Sequence, residues 1–294
     1  MKNLSIFFRD SKPFPQLVGL FFLLLVGFIL ATGLQILFPV GYDSPAAIRL
    51  SLVSQCVSQL LIFFLPAVLF VAFYKDHAVS YLQLDFHGRK WVLAGVAVVI
   101  FLLLVPINDW ITWWNDQWDL GSLDAELRKL SNTSKSTVDK MLSLTTVGDL
   151  VLQFFVVALI PAVCEELFFR GALQQILRQW FGNIHVAILV AALVFSVAHG
   201  DIYGLVPRFI LGLLLGYLFY LSGSILVNIC AHFFNNALIV VLYYLYHKGV
   251  LSTTPDTPLQ MPWLTTLLCT LAAVALFALY FLSKGKKTPQ KKSI

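Results

Sequence analysis

Long, continuous apolar runs dominate the chain. Each run has roughly 18 residues or more, enough for a helix to cross a hydrocarbon core of about 30 Å. A transmembrane β-barrel would instead show alternating apolar and polar positions, whereas a helix satisfies its backbone hydrogen bonds within its own segment. The pattern predicts about eight spans, at residues 15–38, 50–74, 91–107, 149–170, 184–200, 205–221, 224–246 and 263–282. The predicted fold class is therefore all-α, a polytopic transmembrane helical bundle.

Composition and charge support an integral membrane protein and indicate its orientation. The chain is 59% hydrophobic and 12% charged, against about 25% charged residues in a typical soluble domain. The first run is too long for a signal peptide and lacks a small-residue cleavage site, so it is expected to remain as a span. With both termini cytoplasmic, 13 of the 20 Lys and Arg residues fall in inner segments, as the positive-inside rule requires. We expect a multi-pass protein of the cell membrane.

Two polar segments suggest contacts with the membrane surface. The basic tail from Lys284 to Ile294 is expected to touch anionic lipid, and no folded basic face accompanies it that would favour nucleic acid. Trp110, Trp113, Trp114 and Trp118 follow the third span. They are interpreted either as an interfacial anchor before a surface helix or as a lid that guides substrate.

The chain is divided into three parts by these features. Residues 1–147 hold three spans and the Trp-rich interfacial loop, residues 148–247 form a four-helix core, and residues 248–294 hold the last span and the tail. The four cysteines all fall inside predicted spans and show no CxxC spacing, so they indicate neither disulfides nor a metal site.

The first chemically informative stretch is PAVCEELFFRG, residues 161–171. Ionisable residues at membrane depth are costly and are candidates for a functional site. Glu166 and Arg170 are four residues apart with the acid first, which favours an intrahelical ion pair. Glu165 points about 100° away from Glu166 on a helix and is left without a local counter-charge. The motif therefore predicts a supporting pair, Glu166 and Arg170, and a free acid that could serve as a general base.

Two later stretches carry polar groups that could act with Glu165. Glu165 lies 17 residues before Gly182, the predicted turn between spans four and five, and His199 lies 17 residues after it. In an antiparallel hairpin the two would stand at similar depth and could share a water molecule. His199 then lies near the outer end of its span, whereas His232 lies close to the inner end of its own span. For the two residues to reach the same depth, the hairpin is expected to extend beyond the inner surface around residues 171–183.

The third stretch, HFFNN, places His232 and Asn236 on one helical face. We interpret them as neutral hydrogen-bond donors for an oxyanion, although interhelical hydrogen bonding would use the same residues. Glu165, His199 and His232 could alternatively be zinc ligands, but no HExxH motif favours a metal, and no cofactor is expected. A proton-coupled transporter would also place acids and histidines in spans, but the chain shows no repeats or broken helices of that kind.

Together the three stretches resemble the CAAX prenyl protease and bacteriocin-processing family, also called CPBP or Abi. The motifs stand as Glu165-Glu166-x-x-x-Arg170, Phe195-x-x-x-His199 and His232-x-x-x-Asn236, and the SGS sequence at 222–224 is similar to the family's approach to the third motif. The resemblance covers about a third of the chain.

The resemblance implies an eight-helix intramembrane endopeptidase. Glu165 and His199 would activate water, His232 and Asn236 would bind the oxyanion, and Glu166 with Arg170 would support the site. Its partner would be a membrane-associated peptide, with or without a lipid modification, cleaved without a metal. A non-catalytic bacteriocin-immunity or binding protein is the alternative within the same family.

Overall fold

The computed structural model describes residues 11–75, 77–258 and 261–285, the last five through their backbone only. No strand occurs among these residues, which confirms the all-α fold class. The main helices are α1 (Pro13–Leu37), α2 (Pro45–Tyr74), α3 (Lys90–Asp116), α4 (Asp124–Met141), α5 (Val147–Phe181), α6 (Ile184–Val197), α7 (Ile202–Ser222), α8 (Ile225–His247) and α9 (Trp263–Gly285). Beyond Gly285 the predicted lipid-binding tail lies outside the described residues.

Within the described part of the chain, seven helices are long and apolar enough to cross a membrane. They are α1, α2, α3, α5, α7, α8 and α9, so the chain is an integral, multi-pass membrane protein. The span predicted at 184–200 is the exception. Helix α6 has 14 residues and a length of about 21 Å, because the chain leaves the helix in a turn where Gly200 has a φ of +67°. The prediction of eight full spans is therefore corrected to seven and a shorter apolar helix.

Helix α5 is the longest of the described helices and lies in the bundle interior. In its most hydrophobic stretch 39% of the residues are buried, as in α7 and α8, whereas the share is 17% in α1 and α9. The helix has 35 residues, about 52 Å of length, and continues 11 residues past the predicted end at 170. It ends at Gly182, whose φ of +65° produces the predicted turn into α6. A π-helical turn, Leu167–Leu173, interrupts α5, and every side chain in it is buried.

The ends of α5 and α8 are offset along the bundle. Gly171 lies beside the start of α8, since a Cβ added there would be 3.2 Å from Cδ1 of Ile225. Helix α5 therefore continues for about ten residues, or about 15 Å, past the level at which α8 begins. This offset brings His232, which follows soon after the start of α8, level with the middle of α5. Extension of the hairpin beyond the inner membrane surface stays a prediction.

Helix α3 continues to Asp116, so Trp110, Trp113 and Trp114 lie in a helix and the predicted Trp-rich loop is corrected. The helical turn brings the first two rings together, with centroids 5.7 Å apart. The expected surface helix follows as α4. At its start, Asp124 accepts hydrogen bonds from the Tyr203 hydroxyl at 2.6 Å and from Arg128 at 2.8 Å. The Tyr203 hydrogen bond, with that of Arg128, holds the pKa of Asp124 below its usual range. A lid role for this region stays a prediction.

An ion pair joins the first turns of α2 and α5. Arg49 donates through Nε and Nη2 to the two oxygens of Asp149, at 2.7 and 3.2 Å. Asp149 is 3% exposed and also accepts a hydrogen bond from the Thr146 hydroxyl at 2.6 Å. This pair fixes the entry of the central helix against its neighbour.

We predict that Arg49→Ala lowers the free energy of unfolding, because Asp149 loses two charge-assisted hydrogen bonds while remaining buried. The loss should be modest, because the Arg49 side chain is about half exposed and solvent screens the ion pair. Thermal unfolding of the detergent-solubilised protein provides the measurement. The double variant Arg49→Ala/Asp149→Asn removes the stranded charge and should recover part of the loss. A double variant less stable than Arg49→Ala would contradict this account.

Candidate functional site

The polar residues of the central helix lie where its regular α-helical part gives way to the π-helical turn. Glu165 and Glu166 end the α-helical part, and Arg170 lies within the turn. All three are buried, with exposures of 6%, 0% and 1% respectively. Charges buried to this extent require partners, and the structure shows how these partners are divided.

The Glu166 carboxylate receives hydrogen bonds from three side chains. Its Oε1 accepts from Nη1 of Arg170 and from Nδ1 of His232, each at 2.8 Å. Its Oε2 accepts from Nδ2 of Asn228 at 3.1 Å. The intrahelical pair expected from the sequence is therefore present, and α8 completes the coordination of the same carboxylate.

Arg170 ties this network to α7 and α6. Its Nη2 donates to the backbone oxygen of Gly212 at 3.1 Å, and its guanidinium lies 4.8 Å from the ring centroid of Phe195. The hydrogen bond from Arg170 to α7 depends on Gly212. A Cβ at this position would lie 3.0 Å from Cα of Ala192 on α6, which is closer than ordinary van der Waals contact. Close packing of α6 on α7 thus places an acceptor and an aromatic ring around the buried cation.

His232 connects the two glutamates. Glu166 is paired with Arg170 and accepts from Nδ1 of His232, so Nδ1 carries the proton and Nε2 is the opposite, reactive nitrogen. Nε2 lies 3.8 Å from Oε2 of Glu165. That distance exceeds a direct hydrogen bond and suits two groups that contact a common third atom. The His232 side chain is 2% exposed, which fixes the imidazole between the carboxylates.

His199 approaches the same site from the end of α6. Its Nδ1 donates to the backbone oxygen of Phe195 at 2.8 Å, and its ring packs edge-on against that of Phe195 with centroids 4.8 Å apart. Glu165 acts on His199 electrostatically, but the closest imidazole nitrogen to its carboxylate belongs to His232. His199 lies nearer the surface of the bundle than Glu165 and His232, which are buried.

Phe195 is the apolar centre around which these groups are arranged. Its ring centroid is 6.1 Å from that of His232 and 5.1 Å from that of Phe169, in addition to its contacts with Arg170 and His199. The ring separates the exposed imidazole from the buried cation. It therefore limits the polar site to the space beside Glu165.

Asn236 follows His232 by one turn on α8. It is half-buried, and its Oδ1 accepts a hydrogen bond from Nδ2 of Asn235 at 3.3 Å. This contact engages the oxygen end of the Asn236 amide and leaves the Nδ2 end to donate elsewhere. The predicted role of Asn236 as an oxyanion donor stays a prediction.

The alternative zinc set does not assemble as a ligand group. Among the described residues, no three or more His, Cys, Asp or Glu side chains are grouped so that they could hold a metal ion. Glu165, His199 and His232 come near one another, and the Nδ1 atoms of both imidazoles are engaged, by Glu166 and by the Phe195 carbonyl. The expectation of no cofactor stays a prediction.

Sequence reasoning assigned no role to two residues of this site. Asn228 precedes His232 by four residues and therefore shares its helical face, a spacing that could have indicated a third polar group on that side of α8. Phe195 was part of a motif, but which groups its ring would contact depends on the packing of α5, α6 and α8. That packing is not encoded in the local pattern.

Comparison with known proteins agrees with the motifs. Residues 147–238 match the family model described as Type II CAAX prenyl endopeptidase Rce1-like, which confirms the resemblance seen in the sequence. The match contains all three motifs and covers about a third of the chain. Neither a curated protein nor a solved structure matches. The three-part division of the chain stays a prediction.

We predict that Arg170→Gln strongly destabilises the fold, because it leaves Glu166 as a buried charge without its cation. Removing one partner of a buried ion pair typically costs about 3–5 kcal/mol. The double variant Glu166→Gln/Arg170→Gln removes both charges and should regain a substantial part of that stability. Thermal unfolding with the yield of monodisperse protein measures both effects. Equal instability of single and double variants would show that the charge balance is not the cause.

Proposed function

From the family match of residues 147–238, we propose that the chain is a CAAX-type intramembrane endopeptidase in which Glu165 activates water for peptide-bond hydrolysis. The observation that carries this proposal is the contrast between the two adjacent glutamates. Glu166 is engaged by three donors, whereas Oε2 of Glu165 faces Nε2 of His232 across 3.8 Å. One carboxylate is structural, and the other is available to accept a proton.

Water activation uses Glu165 with His199. Because Nδ1 of His199 donates to the Phe195 carbonyl, Nε2 of its neutral imidazole is an acceptor. A water molecule beside Glu165 can then be oriented by two acceptors, the carboxylate and the His199 imidazole. As the water oxygen attacks the substrate carbonyl carbon, one of its protons passes to Glu165, which acts as general base.

Charge balance assigns His232 a different role. With Glu165, Glu166 and Arg170 all ionised, the buried cluster carries one net negative charge. A proton on His232 neutralises the cluster, and the resulting imidazolium donates Nδ1–H to Glu166 and presents Nε2–H towards the reacting atoms. The spacing of His232 and Asn236 alone predicts a neutral donor here. Since Nδ1–H is already committed to Glu166, donation to an oxyanion requires the protonated ring.

The remaining steps follow from these positions. The tetrahedral intermediate carries its negative charge on the former carbonyl oxygen, to which Nε2–H of His232 and Nδ2–H of Asn236 donate. When the intermediate collapses, the carbon–nitrogen bond breaks and Glu165 returns its proton to the leaving amine. Burial of Glu165 and His232 strengthens these interactions, because hydrogen bonds to a developing charge are more effective where water is excluded.

The proposed substrate is a membrane-associated peptide, lipidated near its C-terminus. This follows from the family description and from a site carried on membrane-spanning helices. The surrounding bilayer would hold the lipid chain. We propose that the enzyme resides in the cell membrane with both termini cytoplasmic.

We also propose that hydrolysis requires no metal, because the described His, Cys, Asp and Glu side chains form no group of three or more that could hold a metal ion. Cleavage should therefore persist after prolonged treatment with a strong chelator followed by gel filtration. Loss of cleavage on chelation and its return on addition of Zn²⁺ would overturn the proposal.

We predict that Glu165→Gln lowers the rate of cleavage by about 10²–10⁴-fold, the usual contribution of a general base. The substitution keeps the shape of the side chain and removes its basicity. The assay follows release of the terminal tripeptide from a synthetic peptide ending in a farnesylated cysteine and three further residues. Glu126→Gln, the same change at an exposed position on α4, is the matched control and should retain full activity.

Two outcomes would contradict this assignment. Cleavage by the Glu165→Gln variant at the wild-type rate would remove Glu165 from the mechanism. No cleavage by the wild-type protein, together with undiminished binding of the farnesylated peptide by both forms, would favour a non-catalytic binding protein.

A further inference from the structure

We infer that Asn228 is a positioning residue that orients the Glu166 carboxylate and, through it, fixes which nitrogen of His232 faces Glu165. The inference deepens the proposed function and rests on it for the consequences in catalysis. Its structural part concerns the network around Glu166 and can be tested without a substrate.

The contacts of Asn228 are those of a side chain held in one orientation. Asn228 is 0% exposed. Its Nδ2 donates to Oε2 of Glu166 at 3.1 Å and to the backbone oxygen of Leu215 at 2.7 Å. An amide NH₂ group has two hydrogens, so both are used. One of them fixes the side chain to α7, and the other is thereby aimed at the carboxylate.

Asn228 determines how the two oxygens of Glu166 are used. With Oε2 held by Asn228, Oε1 is directed to Arg170 and His232, both at 2.8 Å. Without Asn228 the carboxylate could turn about its last bond, and Oε2 would be a buried acceptor with an unmet hydrogen bond. His232 would then lose the fixed acceptor of its Nδ1–H, which holds the proton on Nδ1 in the neutral ring and directs Nε2 towards Glu165 in both the neutral ring and the imidazolium.

The cationic donor to Glu166, Arg170, and the neutral donor, Asn228, both bond to the backbone of α7. Arg170 donates to the oxygen of Gly212 and Asn228 to that of Leu215, three residues apart on α7. The backbone of α7 therefore sets the positions of two donors that approach Glu166 from different helices. Asn228 and His232 are one turn apart on α8. The hydrogen bond from Asn228 to Leu215 therefore also helps to fix the position of the His232 imidazole along the bundle axis.

The experiment compares Asn228→Ala and Asn228→Asp with a matched structural control. Gln174 is 2% exposed and donates to the backbone oxygen of Gly216 at 3.2 Å, a comparable buried bond to α7 that does not touch Glu166. Gln174→Ala therefore reproduces the loss of a bond to α7 and spares the carboxylate. All proteins are measured at matched folded concentration, with the farnesylated peptide as substrate.

We expect Asn228→Ala to lower kcat by about 10- to 100-fold and to change KM less than threefold. Loss of a residue that orients a metal ligand without itself binding the metal has an effect of similar size. Gln174→Ala should keep kcat near that of the wild type. In Asn228→Asp the introduced carboxylate repels Glu166 at neutral pH. As the pH falls and it becomes protonated, it can donate to Glu166, so activity relative to the wild type should recover. A purely structural role would not produce this pH profile.

The tautomer of His232 provides a second readout. Solid-state NMR of protein with ¹⁵N-labelled histidine distinguishes protonated from unprotonated ring nitrogens, and a His232→Gln sample identifies the His232 signals among the six histidines. At a pH where the ring of the wild type is neutral, we expect the proton on Nδ1. Gln174→Ala should retain this tautomer, and Asn228→Ala should show a mixture of both.

The two readouts separate the possible failures. An unchanged tautomer in Asn228→Ala overturns the inference, whatever the activity. An altered tautomer with undiminished kcat shows that orientation does not matter for hydrolysis and also overturns it. If the wild-type protein cleaves no farnesylated peptide, the proposed substrate is refuted, and the tautomer measurement decides whether Asn228 orients Glu166.

Discussion

The site depends on the burial of one carboxylate, that of Glu166, at the centre of the bundle. A buried charge is tolerated when it is paired and hydrogen-bonded, and Glu166 receives bonds from Arg170 on its own helix and from Asn228 and His232 on α8. Replacing any of these donors strands a charge or a polar group. The relative positions of α5, α7 and α8 are therefore set by the same contacts that hold the candidate catalytic imidazole.

This constraint explains why two adjacent glutamates can act so differently. Side chains one residue apart on a helix point about 100° away from each other, so Arg170 and Asn228 donate to Glu166, while His232 lies between the two carboxylates. Glu165 is nearly as buried, yet it faces the reactive nitrogen of His232 at 3.8 Å. Because the charge of Glu166 is balanced within the fold, Glu165 is the carboxylate that the proposed mechanism uses to accept a proton.

The sequence predicts those features that depend on local spacing. The apolar runs locate the bundle, and the four-residue interval predicts the Glu166–Arg170 pair. Helix ends are less predictable, because a helix can continue beyond an apolar run: the run that ends near residue 170 is followed by Gln174 and Gln175, yet α5 continues to Phe181. Gly200 ends α6 early through a backbone conformation that its apolar neighbours do not signal. The bond between His232 and Glu166 joins residues 66 positions apart and needs the helix packing itself.

That long-range bond changes the chemistry assigned to His232. A histidine considered by itself can donate or accept through either nitrogen. Once Nδ1–H is committed to an ionised glutamate, the other nitrogen accepts when the ring is neutral and donates when it is protonated. The role of His232 is thus determined by the charge of the whole buried cluster, in which two carboxylates outnumber one guanidinium. In the proposed mechanism an imidazolium satisfies that balance and donates to the oxyanion, so the ion network that supports the fold would also set the state of His232.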